Sequence, residues 1–500
     1  MKLLGGLLYL TISVLTPVLG VWLASSLVSY SGGPTELALV AGALLFPVLP
    51  VWWELRATRA FNEGVKRKRQ FGAAPKRSFT ALGRIVLRTL FLNVVFLAVL
   101  VVWFPKQAFP ALAMRGDWFL EGNAEPWAEA MRRDLHAAAT GLEWLYELSN
   151  QNPYVKEGDL QPVPSSVQPV EESTGLEMPT ARRWISGTSA WDGRERSRLR
   201  DTEPQPDPTP EWLEGSTFAV GDTRWPWKRA PLKSLARITA ADEADLQTVG
   251  EFFKREEPEP FARVKGLHDW VVTRLRYDED AIKPGAVRPP QDAVHVFGAR
   301  KAVCEGYARL MVALGKVTGD DIVYLVGDVR DDDGSANPSP HAWNAVQVRG
   351  KWYLVDATWD DPTGVDEYRT DYLFIPPSVA VFDHLPWEKR WQMLSTPLSR
   401  GDFLRQPLVG PGMSRVGLTL VTPERSTVEV DGPLDVELEN PSGAKLWLTY
   451  GDANTDCGFN SETKAHWRCD LPSGLSRVRL WHSTNGQGYE YLAELRVTRR

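Results

Sequence analysis

The sequence predicts an α+β protein in four parts. A three-helix membrane anchor covers 1–104, a helical and Pro-rich exported linker region 105–239, a mixed helix-and-strand domain 240–405, and an antiparallel β-sandwich 406–500. Three observations predict it. The long uncharged apolar runs all end by Phe104, and helical spacing and alternating runs succeed one another between 240 and 405. From 406 onward, short alternating runs are separated by Gly, Pro, Asn and Asp. A charged fraction of 24% and a net charge of −6, with no basic recognition helix, leave nucleic-acid binding without support. No nucleic-acid partner is expected.

The anchor rests on three apolar runs. Leu3 to Val28 is almost uncharged and long enough for about 30 Å of hydrocarbon. It is longer than a signal-peptide core, so an uncleaved anchor is expected. Leu37 to Trp53 contains Pro47 and Pro50 and ends in Trp52-Trp53; Ile85 to Phe104 is interrupted only by Arg88 and Asn93. Residues 54–84 carry Arg56, Arg59, Lys66, Arg67, Lys68, Arg69, Lys76, Arg77 and Arg84, whereas Ser29 to Glu36 has no basic residue. The positive-inside rule puts the basic loop in the cytoplasm and everything after Phe104 across the membrane. The expected location is a multi-pass cell-membrane protein whose C-terminal part is periplasmic or extracellular.

Residues 126–150 have helical spacing, with Leu135, Leu142 and Leu145 on one side. Periodicity then fades to about 235, and Thr202 to Pro210 reads as an extended Pro-rich spacer. Trp184, Trp191, Trp212, Trp225 and Trp227 argue against complete disorder; such aromatics most simply dock on the neighbouring domain. Phe261, Val264, Leu267, Val271 and Leu275 then keep helical spacing after two prolines. Cys304 precedes a second stripe, Tyr307, Leu310, Met311 and Leu314. That spacing places the thiol in a first helical turn, where free N–H groups and the helix dipole favour a thiolate. Glu305 would oppose this if its carboxylate lay near, so His341 is expected to supply most of the activation.

Ile322 to Val329 is a strand candidate, and two alternating runs follow it, joined by Val348-Arg349-Gly350-Lys351. A two-residue loop at Arg349-Gly350 pairs 348 with 351, which sets Asp356 opposite Trp343 and His341 opposite Thr358. His341 and Asp356 then share one face as diagonal neighbours, roughly 7–8 Å apart at the backbone. A three-residue loop would separate them. Cys304, His341 and Asp356, in that order, supply what thiol chemistry requires: a nucleophile, a proton acceptor, and a carboxylate that fixes the imidazole's tautomer.

The segments Cys304-Glu305-Gly306-Tyr307-Ala308, His341-Ala342-Trp343-Asn344 and Trp352 to Pro362 resemble the transglutaminase-like superfamily, the papain-related fold of transglutaminases and bacterial hydrolase relatives. Tyr372-Leu373-Phe374 and Asp383-His384 also look like the segment that follows the triad there. The resemblance covers roughly 240–390, about a third of the chain. It implies Cys304 as nucleophile, His341 as general base and Asp356 as orienting acid. Ala302 departs from the glycine of many relatives. Only the Cys304 backbone N–H is assigned as an oxyanion donor.

His268 and His295 lack paired ligand spacings such as HExxH or CxxC and read as structural, so no metal and no cofactor is expected. His384 is expected to pack, with cleft lining as the alternative. Asp331-Asp332-Asp333-Gly334 lacks the remaining ligands of a calcium loop and reads as a solvated rim that would favour cationic substrates. In the sandwich, strands are expected at Val416 to Val421, Thr427 to Val430, Leu434 to Leu438, Lys445 to Tyr450, Ser476 to Trp481 and Tyr489 to Val497. Cys457 and Cys469 can pair in an oxidising compartment, leaving Cys304 free; their spacing permits this without requiring it.

The function expected is thiol-dependent acyl transfer or hydrolysis on peptide or carboxamide bonds of exported or envelope proteins. The enzyme class is a transglutaminase-like cysteine protease, amidase or acyltransferase. Its partners are a protein or peptide substrate, an amine acceptor where cross-linking occurs, and a cell-envelope partner. The alternative is a non-catalytic envelope scaffold that binds through the cleft and the sandwich.

Overall fold

The computed structural model describes residues 2–44, 48–68, 79–123, 125–149, 152–156, 162–170, 172–174, 218–330, 338–361, 368–483 and 488–500. The chain divides into two units, 1–151 and 152–500.

In the first unit the apolar runs form helices Lys2–Tyr30, Thr35–Ala43, Leu49–Lys68 and Ala81–Trp103. Among the described residues Ala81–Trp103 is the one helix that is long and apolar enough to cross a membrane; Pro17–Tyr30 is a shorter apolar stretch. Of the second run, the described residues are helical on both sides of 45–47, which lie outside the described residues, and the helix Leu49–Lys68 continues past Trp53 into the basic sequence. Glu54 at that junction is buried and ion-paired with Arg84 (2.7 Å) and Arg88 (2.9 Å). Pro105–Arg115 packs beside the first helix, with Arg115 Nε donating to Ser29 Oγ at 2.8 Å. Pro126, at the first helical position, starts Pro126–Thr140, and the chain turns at Gly141 before Trp144–Ser149.

The second unit is built around a five-stranded antiparallel sheet in the order His384–Pro386, Asp321–Val329, Ser339–Val348, Lys351–Val355, Leu373–Ile375. Helices Leu246–Glu256, Pro260–Arg274 and Cys304–Thr318 pack together, and the last lies against the two strands next to the His384 edge. Tyr307, Leu310, Met311 and Leu314, the expected stripe, are all buried there. Trp225 and Trp227 dock in this core. Trp225 Nε1 donates to the Asp371 carbonyl at 2.9 Å, and the Trp227 ring lies 5.3 Å from that of Phe374. Trp184, Trp191, Trp212 and the spacer lie outside the described residues, as does the acidic rim 331–334.

Toward the C-terminus two sheets share a second core. One contains Leu408–Val409, Tyr489–Arg499, Gly474–Ser483, Leu446–Tyr450 and Thr455–Asn460, with Thr427–Val430 parallel to Tyr489–Arg499. The other contains Thr419–Thr422, Leu434–Glu439 and Lys464–Cys469. In Leu434–Glu439 every second residue is buried: Leu434, Val436 and Leu438 point inward and the three acidic residues outward, the two-residue period of a half-buried strand. The strand expected at Val416 to Val421 begins only at Thr419. Pro411 starts a short helix through Val416, and Gly417, with φ of 77°, ends it. Cys457 and Cys469 are disulfide-bonded with Cα atoms 5.5 Å apart, and Cys304 is the free cysteine.

Candidate active site

The Cys304–Thr318 helix begins at the sulfur-bearing residue itself, with Val303 as its extended N-cap. The thiol therefore lies in the first turn, among N–H groups that have no intrahelical acceptor. The opposing charge of Glu305 is compensated: its buried carboxylate pairs with Lys156, with Arg309 at 3.0 Å and with Arg288 at 4.0 Å. Asn344 fixes the helix against the sheet, its amide donating to the Ala308 carbonyl (3.0 Å) and to Val323 (3.1 Å).

The hairpin has the expected two-residue loop. Val348 pairs with Lys351 and the ladder runs to Asn344–Val355, with φ of 51° at Arg349 and 80° at Gly350. Both positive values are what the tight turn requires. Asp356 follows the last ladder pair, and its carboxylate reaches His341: Nε2 and Oδ2 are 2.6 Å apart. The other oxygen, Oδ1, accepts from the N–H groups of Thr358 (2.8 Å) and Trp359 (3.3 Å). With Nε2 engaged by Asp356, Nδ1 is the ring nitrogen left for Cys304, whose sulfur is near enough to act on the imidazole electrostatically.

All three groups are buried. Burial by itself would push the His341 imidazole down; the Asp356 carboxylate and the Cys304 sulfur outweigh it and raise the group to about 10. Burial likewise opposes ionisation of Asp356, yet His341 first and His384 second hold its carboxyl below the ordinary range.

Two further parts of the site had little sequence signal. The first is His384, at the sheet edge: its Nε2 lies 3.1 Å from Asp356 Oδ2 and its Nδ1 2.7 Å from Asp383 Oδ1. Tyr372 donates its hydroxyl to Asp383 Oδ2 at 2.6 Å. The Asp-His dipeptide was the available clue, but nothing local says that it reaches Asp356. The second is Asn152 to Lys156, a stretch without periodicity. Asn152 Nδ2 donates to the Gly327 carbonyl (3.0 Å), and Tyr324 donates to the Tyr154 carbonyl (2.8 Å). Tyr154 and Cys304 belong to one buried cluster, in which Cys304 is 1% exposed.

His268 sits apart in the core, its Nε2 3.0 Å from Asp360 Oδ2, and His295 is exposed. By atom type, His341, Asp356 and His384 are a group that could hold a metal ion, with ligand atoms within 4.8 Å of one another. The hydrogen bonds among them account for that clustering.

A model of the transglutaminase-like superfamily matches residues 247–357, so the chain carries a transglutaminase-like domain. Among curated proteins, kyphoscoliosis peptidase of Mus musculus is 26% identical over 302 residues, 54% of this chain and 45% of the relative. The Homo sapiens kyphoscoliosis peptidase is 26% identical over 303 residues, with the same shares. The chain thus spans just under half the length of the curated relatives it matches. A crystal structure of a TGase is 21% identical, covering 26% of this chain and 34% of that one, with a TM-score of 0.21.

Proposed function

We propose that Cys304, His341 and Asp356 form a catalytic triad for thiol-dependent acyl transfer or hydrolysis on peptide or carboxamide bonds of exported or envelope proteins. The observation that carries this is the 2.6 Å contact of His341 with Asp356, with the buried Cys304 sulfur at the start of a helix and acting on the same imidazole. The thiolate attacks the carbonyl carbon, His341 gives its proton to the departing amine or ammonia as the C–N bond breaks, and a thioester remains. Water, deprotonated by His341, hydrolyses the thioester; an attacking amine instead gives a cross-link.

The division into an anchor over 1–104, a linker over 105–239, a catalytic domain over 240–405 and a β-sandwich over 406–500 belongs to the same proposal, as does a three-span anchor with the catalytic part outside. The first helix, charged only at Lys2, the basic residues after Trp53 and the Cys457–Cys469 disulfide support an exported site.

A non-catalytic scaffold is the second reading, favoured by the packing of Tyr154 with the buried Cys304. The deciding experiment is the pH dependence of Cys304 alkylation in the full-length protein and in His341→Ala, with Cys457 and Cys469 left oxidised. An activated pair reacts below the ordinary thiol range of about 8.5 and loses this in the variant. Equal profiles would reject the triad.

A further inference from the structure

Both ring nitrogens of His384 face carboxylates, Asp356 at 3.1 Å and Asp383 at 2.7 Å. An ionised carboxylate only accepts hydrogen bonds, so a neutral imidazole would leave one nitrogen lone pair directed at an anion. The arrangement is satisfied in full when His384 carries both protons. Its ring is enclosed by Trp359, at a centroid distance of 4.5 Å, by Tyr372 at 5.1 Å and by Trp343 at 5.2 Å.

We propose that His384 is a positioning residue of the triad, a buried imidazolium that fixes the Asp356 carboxylate and balances its charge. This rests on the triad reading above. Asp356 Oδ2 is held by His341 and His384 together, while Oδ1 is held by two backbone N–H groups, so the carboxylate has one orientation. Asp383 and Tyr372 anchor the far side of His384. The remaining charged groups around it are accounted for: His341 lies at 5.7 Å between ring centroids, and Asp328, on the neighbouring strand, is paired with Arg400. Asp383 first and Asp356 second raise the His384 imidazole against its burial, in agreement with the geometry.

The backbone is shaped for this contact. His384 pairs with Val329 on one side of the Asp321–Val329 strand, and His341 pairs with Gly327 on the other. A Cβ at Gly327 would lie inside contact distance of the Leu385 carbonyl and the Trp343 ring, so the two histidine-bearing strands approach through a glycine.

The test is the pH dependence of Cys304 alkylation by iodoacetamide in full-length protein, for His384→Gln, Asp383→Asn and His341→Ala. Each is made with and without Tyr154→Ala, so that the burial of the thiol does not decide the result. His384→Gln keeps an amide donor and removes the charge; it raises the alkylation midpoint by about one pH unit or more. Asp383→Asn keeps an acceptor for Nδ1–H and removes the charge that holds the ring protonated, so it raises the midpoint by less. A pure packing role lowers the melting temperature and leaves both midpoints at the wild-type value, which overturns the proposal. If His384→Gln does not fold, Asp383→Asn carries the same test. If His341→Ala also leaves the midpoint unchanged, the triad reading falls too; a shift in His341→Ala alone removes only the role of His384.

Discussion

Asp356→Asn tests the site most directly, because the structure dictates how the new amide must sit. Oδ1 accepts two backbone N–H groups, from Thr358 and Trp359, so the amide oxygen takes that place. The NH2 group then occupies the Oδ2 position, 2.6 Å from His341 Nε2 and 3.1 Å from His384 Nε2. A donor now faces two donors. His341 escapes the clash only by losing the Nε2 proton, which leaves its remaining proton on Nδ1, the nitrogen that serves Cys304. The imidazole can then neither take the thiol proton nor remain an imidazolium beside the thiolate. A hydrogen bond to a charged group is worth about 1.5–3 kcal/mol, which is roughly 10- to 150-fold in the thiolate fraction and about 1–2 pH units in its titration. Iodoacetamide reaction rates between pH 5 and pH 9 read this directly, with near-ultraviolet circular dichroism as the check on folding. A folded Asp356→Asn protein whose rate profile overlays the wild type would refute the proposed coupling between these residues.

Tyr154→Ala should raise the plateau rate of Cys304 alkylation by about tenfold or more, since it removes a ring packed with the buried Cys304; an unchanged plateau would mean that the thiol is reached from another side. Gly327→Ala should destabilise the second unit by about 1–3 kcal/mol through overpacking against the Leu385 carbonyl and Trp343, read as a lower melting temperature. Trp227→Ala, in the core beside Phe261 and Phe374, should cost about 3–5 kcal/mol; a loss below 1 kcal/mol would mean that residues near 227 are dispensable to the domain. Stability should also depend on alkaline pH. His341 is raised from 6.5 to about 10 on folding, so its contribution is full below 6.5, declines above it and is gone beyond about 10. Melting temperatures should therefore fall over that range in the wild type and fall less steeply in His341→Gln.

The stripe from Tyr307 to Leu314, the turn at Arg349-Gly350 and the alternation of Leu434 to Leu438 were all legible in the sequence. Each follows from a local rule: helical or strand periodicity, or the need for positive φ in a two-residue turn. The hairpin register runs to Asn344–Val355 and ends beside Asp356; the expected pairs His341–Thr358 and Asp356–Trp343 do not form, and the Asp356 carboxylate reaches His341 beyond the ladder. The late start of the strand at Thr419 was less legible, since a helix cap competes with strand periodicity there.

Other features depend on contacts between residues far apart in the chain. Nothing in the sequence around Asn152 to Lys156 relates it to Cys304; the relation exists because Asn152 bonds the Gly327 carbonyl and Tyr324 bonds Tyr154. Likewise His384 reaches Asp356 only because its strand adds to the sheet edge beside Asp321–Val329. Strand order and the packing of an irregular segment are set by burial and by long-range hydrogen bonds, for which local sequence carries no period. The sequence by itself therefore determined the buried stripe after Cys304 and the turn and register of the hairpin that ends beside Asp356. The tertiary structure decided what surrounds the thiol, imidazole and carboxylate: a second histidine behind the carboxylate and a tyrosine beside the sulfur.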